Sequence, residues 1–219
     1  VLGILLAVVL SYLLGGIPTA ILVGKVFRGI DIREYGSGNA GATNAFRVLG
    51  WKLALPVVVV DVLKGTAAVL LVARLASLPA GQPATWVRLA CGVAAVAGHV
   101  WTPYAGFRGG KGVGTAFGAM VALLPIPLLI AAGIWLVIVL VSGYVSLGSM
   151  VSAVSVPALV YLTRFRHPEG RDPVLLWTTV LLALGVLFTH RSNIRRLLAG
   201  KENRFSTPFV KWSKAQVRS

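Results

Sequence analysis

Apolar residues run through this sequence in stretches that approach or reach twenty, near 1–24, 53–73, 86–105, 127–142, 146–163 and 173–189. A helix needs roughly 20 such residues to cross the hydrocarbon of a bilayer. Charged residues make up 12% of the chain and hydrophobic ones 57%, against about 25% and 45–50% in soluble domains, which excludes an ordinary soluble fold. The formal net charge of +15 raises nucleic-acid binding as an alternative. Nucleic-acid binders carry Lys and Arg on solvated faces, and these apolar runs leave few, so no nucleic-acid partner is expected. The first segment has no basic residue before Lys25 and exceeds the about 7–15 residues of a signal-peptide core. It reads as a retained membrane helix. The one cysteine, Cys91, lies in an apolar run and gives no disulfide or redox signal.

A seventh run, 114–124, is shorter and ends at Pro125-Ile126-Pro127. Eleven helical residues rise only ~16 Å, too little to cross alone, and the prolines force a turn. A half-helix is therefore expected there. Short cytoplasmic loops are enriched in Lys and Arg, which tests the sidedness. With seven alternating segments, one side holds 25–52, 106–113, 143–145 and the chain from 190, with fifteen Lys and Arg; the other holds five. Treating 114–142 as one helix mixes the charges. The expected fold is thus all-α and polytopic, with about seven transmembrane segments, the amino terminus outside and the carboxyl terminus cytoplasmic. Residues 1–205 read as a single transmembrane domain and 206–219 as a basic tail.

The polar chemistry is concentrated in loops on the basic side. Gly36-Ser37-Gly38-Asn39-Ala40-Gly41-Ala42-Thr43-Asn44 is followed by Arg47. Glycines let successive N–H groups converge on an anion, and a helix beginning near Asn39 to Thr43 adds its positive end. Thr43 and Arg47 then share a face. A flexible glycine linker is the competing reading. The G-x-G-x-x-G match with Asp61 following is not a dinucleotide site, because Asp61 lies inside an apolar span rather than at a strand end. At Gly109-Gly110-Lys111-Gly112 the P-loop pattern fails, leaving a lysine on open backbone that suits a phosphate or snorkels at the interface. His99, nearby, reads as a satisfied interfacial histidine. Ser146 and Ser149 share a helix face, which by itself reads as close helix packing before substrate contact. His190 and Asn193 do likewise where the last span ends. Asp61 and Lys64 are i, i+3 neighbours within a span and read as a structural ion pair. The His167 to Asp172 spacing mimics an acyltransferase box but falls on the other side and reads as chance. No Cys/His cluster suggests a metal.

Taken together, G-S-G-N-A-G-A-T-N at 36–44, D-x-x-K-G at 61–65, G-H-x-x-P with F-R-G-G-K-G-V to 113, Y-V-S-L-G-S at 144–149 and H-R-x-N-I-x-R-L-L-x-G-x-E at 190–202 closely resemble the PlsY family of bacterial acyl-phosphate:glycerol-3-phosphate acyltransferases. The resemblance runs through nearly the whole chain in order. It implies an inner-membrane enzyme, its site facing the cytoplasm, that acylates the 1-hydroxyl of glycerol 3-phosphate from acyl phosphate to give lysophosphatidic acid, with membrane lipids around it and no cofactor. It also implies catalytic roles for Ser37, Lys111, His190 and Asn193, and substrate binding by Gly38, Asn39, Gly41, Ala42, Thr43, Asn44, Arg47, Gly110, Ser146 and Ser149. One departure is Ser142-Gly143 before Tyr144, where the family often has a basic residue. The competing class is a transporter of a phosphorylated metabolite, which also uses half-helices and intramembrane charge. The loops around 74–88 and 164–172 carry no matching Gly/Asn/Ser cluster, which favours a one-sided enzyme.

Overall fold

Helices account for all regular structure in the computed structural model, which describes residues 2–76, 78, 84–165 and 172–206; no strand occurs among them. The first apolar run is divided by Pro18. That residue offers no N–H and its ring obstructs the preceding turn, so helix α1 (Leu2–Gly16) stops and α2 (Thr19–Arg28) begins after it. α2 ends on Gly29 in the left-handed conformation, a common helix stop. A short amphipathic helix, α3 (Ala42–Leu49), precedes α4 (Trp51–Leu70). Then come α5 (Thr85–Val100), α6 (Val113–Val121), α7 (Pro125–Ser142), α8 (Val145–Val160), α9 (Pro173–Thr189) and α10 (Arg191–Leu198).

The expected half-helix is α6. Its nine residues rise ~14 Å, and the chain breaks before α7 starts on Pro125, so 114–142 is not one helix. α9 spans 173–189 as read from the sequence, started by Asp172, whose carboxylate accepts from the N–H groups of Val174 and Leu175 at 3.0 and 3.2 Å. Asp172 is thus a helix cap; His167, the other half of the acyltransferase-like spacing, lies outside the described residues. α5 ends five residues short of the expected 105 because Thr102 turns the chain, its hydroxyl donating to Gly16 O. Among the described residues, four helical stretches are long and apolar enough to cross a bilayer: Leu2–Arg28, Trp51–Leu75, Pro125–Ser142 and Val145–Arg164. α9 with α10 makes a fifth when that pair, bent by 58°, is one span.

Lipid tails offer no hydrophobic incentive for helices to associate, so small residues that permit close backbone approach do much of the packing. α4 and α6 cross in this way. A Cβ on Gly65 would strike Thr115 O, one on Gly118 would strike Val62 O, and the Thr66 hydroxyl donates to Gly118 O at 2.8 Å. α1 packs on α5, α7 on α8 and α8 on α9. The charges buried in α4 form the expected ion pair, Lys64 Nζ to Asp61 Oδ1 at 2.9 Å. Thr19 also donates to that Oδ1 at 3.2 Å, and Lys64 donates to Ile17 O at 3.0 Å. Lys64 and Asp61 thus tie α4 to the chain on both sides of Pro18.

Candidate active site

Loops and helix ends meet around a cavity of about 630 Å³. One wall is the 36–44 loop. Gly36 and Gly38 adopt φ of +62° and +70°, a region costly to residues with a Cβ. Asn44, the second residue after the α3 start, reaches back into the loop. Its Oδ1 accepts from Ser37 N at 2.8 Å, and its Nδ2 donates to Ile32 O and Tyr35 O at 3.0 Å each. Fully buried and fully bonded, Asn44 shapes the loop. With Gly41 as N-cap, the first N–H groups of α3 have no intrahelical partner, and Gly41, Ala42 and Thr43 line the cavity beside Ser37 and Asn39.

Lys111 enters from the 106–112 loop. Its Nζ donates to Asn193 Oδ1 on α10. Asn193 Nδ2 in turn donates to Glu202 Oε1 at 2.6 Å; that oxygen also accepts from Ser146 on α8 at 3.0 Å, and Arg196 Nε donates to Oε2 at 2.8 Å. Glu202 therefore gathers α8, α10 and, through Asn193, the lysine. Arg47 also lines the cavity, and neither Arg47 nor Lys111 forms an ion pair among the described residues. Burial pulls the Lys111 pKa down to about 8, opposed by Glu202 and assisted by Arg196 and Arg47. Burial likewise lowers that of Arg47, with Glu202 opposing. Both groups gain by meeting an anion.

His190 sits at the bend between α9 and α10. Its Nδ1 lies 2.8 Å from Val186 O; a carbonyl only accepts, so Nδ1 carries the proton and Nε2 is the acceptor. Burial, then the charge of Lys111, lower its pKa to about 4. The imidazole is neutral at pH 7. Ser149 Oγ donates to Val145 O at 2.9 Å and accepts from Trp135 Nε1 at 3.3 Å.

Twelve of the expected site residues therefore share this cavity: Ser37, Asn39, Gly41, Ala42, Thr43, Asn44, Arg47, Lys111, Ser146, Ser149, His190 and Asn193. Gly38 and Gly110 do not line it. Gly110 is pressed between the His99 ring and Ala40 O, where no side chain fits, so it joins the two loops. Sequence reasoning missed Glu202, although it closes the last motif, and also His99, Trp135 and Phe205, which line the cavity. Asp61 lines it too, with His99 Nδ1 3.6 Å from Asp61 Oδ1. Trp135 and Phe205 carry no local signal. Among the described residues no group of three or more His, Cys, Asp or Glu is placed to hold a metal ion.

The far end of the cavity is apolar. A second cavity of about 310 Å³ shares Val58, Val113, Gly114, Trp135 and Ser149 with it and continues among α4, α6, α7, α8 and α9. A helical membrane protein with a buried cationic pocket opening onto an apolar chamber is the class this fold and site define. Residues 5–200 match the family described as Glycerol-3-phosphate acyltransferase. The chain belongs to that family: it is an integral membrane glycerol-3-phosphate acyltransferase of the PlsY type, working in phospholipid biosynthesis. A glycerol-3-phosphate acyltransferase of Chlorobium phaeobacteroides is 45% identical over 89% of this chain and 93% of its own. One from Chlorobaculum tepidum is 43% identical over 91% and 95%. Among solved structures, PlsY in its glycerol 3-phosphate form is similar with a TM-score of 0.81 and 35% identity, over 93% of this chain and 96% of that one. The lysophosphatidic acid form gives a TM-score of 0.79.

Proposed function

We propose that the protein transfers a fatty acyl group from acyl phosphate to the 1-hydroxyl of sn-glycerol 3-phosphate, giving lysophosphatidic acid, without metal or nucleotide. The observation that carries this is the union of a cationic pole with an apolar chamber in one site. Two phosphates need the first and an acyl chain needs the second. In this reading the 37–44 loop and the α3 N-terminus cradle the acyl-phosphate head, and its tail enters the second cavity past Trp135. Arg47 and Lys111 clamp glycerol 3-phosphate, with Ser149 and His190 Nε2 orienting its hydroxyl. Asn193 and Ser146, engaged with Glu202, position Lys111 and the α8 wall.

The substrate hydroxyl oxygen attacks the acyl carbonyl and an ester C–O bond forms. The acyl C–O bond of the mixed anhydride breaks, and phosphate leaves with the electron pair and the bridging oxygen. An acyl phosphate is already activated, so the protein supplies positioning and electrostatic stabilisation. The hydroxyl proton passes to an oxygen of the donor's own phosphate, since an imidazole with a pKa of about 4 is a poor base at neutral pH. We place the site on the cytoplasmic face of a bacterial inner membrane, in a seven-segment arrangement with the amino terminus outside, from the fifteen-to-five distribution of basic residues.

The test uses purified protein in detergent with a chelator present, palmitoyl phosphate and labelled glycerol 3-phosphate; acyl-CoA replaces the donor in parallel. Lysophosphatidic acid forms from acyl phosphate alone, and Lys111→Ala lowers the rate by about 10²-fold or more. Product from acyl-CoA alone would overturn the donor assignment.

A further inference from the structure

After α10 the chain does not leave the body of the protein. The helix is closed by Lys201 N donating to Arg196 O at 2.7 Å, and Glu202 turns inward. Arg204 then docks on the turn between α7 and α8: its Nε donates to Ser142 O at 2.8 Å, and its guanidinium lies 5.3 Å from the Tyr144 ring centre. The next residue continues the contact, with Phe205 N donating to Gly143 O at 2.9 Å. Gly143 accommodates this strap because it has no side chain. Its φ is +75°, and a Cβ there would lie 2.6 Å from Phe205 O and 2.8 Å from Arg204 Cγ.

From that anchor the Phe205 ring reaches the opposite wall. It meets Phe46 of α3 edge-on at 5.4 Å, and the Arg47 guanidinium lies 4.7 Å from its centre. Phe205 and Ser206 both line the cavity. The strap thus ties α10, the α7–α8 turn and α3 together, and it ends on Arg47, which has no carboxylate partner among the described residues. A free arginine samples many rotamers, and one held by an aromatic face meets an anion with much of that ordering already done.

We propose that Phe205 is a positioning residue of the active site: its ring holds the Arg47 guanidinium in the pose that receives the substrate phosphate, while the strap it belongs to closes the rim between α3 and the α7–α8 turn. Arg204 and Phe205 lie beyond the matched residues 5–200 and outside every sequence motif. The role assigned to Arg47 rests on the proposed function above.

Phe205→Ala raises KM for glycerol 3-phosphate roughly five- to tenfold, the range of one well-formed cation–π contact, with kcat within about twofold. Phe205→Tyr keeps the ring and restores KM. Phe205→Leu keeps the apolar volume but not the ring and behaves as Phe205→Ala; it also decides the matter if the alanine variant does not fold. In an Arg47→Met background Phe205→Ala has no further effect on KM. Thermal stabilisation by glycerol 3-phosphate without acyl donor is measured on the same proteins and falls in the same order. That binding readout stands even if the wild type makes no lysophosphatidic acid, a result that sinks the acyl-transfer reading and not the strap. A Phe205→Leu protein with wild-type KM and wild-type stabilisation, or an equal Phe205→Ala effect with and without Arg47, overturns the proposal.

Discussion

Lys111 and His190 are neighbours in one buried site, and the low-dielectric surroundings push both toward neutrality to different extents. An amine is charged below its pKa, so a site that needs the Lys111 cation loses its active form as pH rises through about 8. The imidazole, at about 4, stays neutral throughout the range from 5 to 9 and adds no limb there. We therefore expect kcat/KM to fall about tenfold per pH unit above the Lys111 pKa. Bound phosphate dianion favours the ammonium form, so the corresponding limb of kcat lies at higher pH. Lys111→Arg, charged at every accessible pH, abolishes the alkaline limb whatever it costs in rate. An acid limb near 6 belongs to the second ionisation of substrate phosphate and persists in His190→Gln. Stopped-time assays over pH 5 to 10 check all of this, and an acid limb that disappears with His190 would make that imidazole the base.

At the scale of helices, the crossing of α4 and α6 decides where Lys111 stands, because α6 starts two residues after it. Gly65 and Gly118 bring the backbones together, and Gly118→Ala is expected to force them apart. Overpacking costs about 1–3 kcal/mol, which for a chain of this size lowers Tm by about 5 °C. Gly133→Ala in α7, where a Cβ meets nothing within 4 Å, is the control, and differential scanning fluorimetry in detergent separates them. Much at this scale was legible beforehand. Period-free apolar runs gave the interiors of α4, α7, α8 and α9, Pro-x-Pro separated α6 from α7, and the i, i+3 spacing of Asp61 and Lys64 gave their pairing. The ends were less legible, as α5 shows, because the Thr102 bond to Gly16 O depends on a partner 86 residues away. The same limit applies within the site. The sequence marks Asn44 and Gly110 as members of polar loops, but only tertiary packing turns the Asn44 amide onto its own loop and seats Gly110 against His99. Phe205 had no local signal at all, since an aromatic near a basic tail is equally suited to an interface.

For the whole molecule, the two cavities adjoin through five shared lining residues, the first holding the cations Arg47 and Lys111 and the second lined by Met120, Leu128 and Val156. Trp135, hydrogen-bonded to Ser149, stands where they join. In the proposed reading such a layout separates the chemistry from the length of the chain: charge holds the head at one end and methylenes fill the other, each worth about 0.8 kcal/mol, or about fourfold in kcat/KM, when it moves from water into an apolar chamber. Ala153 on α8 lines only the second cavity, so Ala153→Phe shortens that chamber without touching the cationic pole. With an acyl-phosphate series, we expect the variant to keep its kcat/KM for octanoyl phosphate within about twofold of the wild type and to lose at least about tenfold for palmitoyl phosphate. Equal losses along the series would mean that the tail lies elsewhere, against the lipid-facing surface of α4 and α7, and the second cavity would then be a packing void. The measurement needs an internal comparison of chain lengths within each protein, because detergent partitioning acts on the donors alike in both and cancels in the ratio.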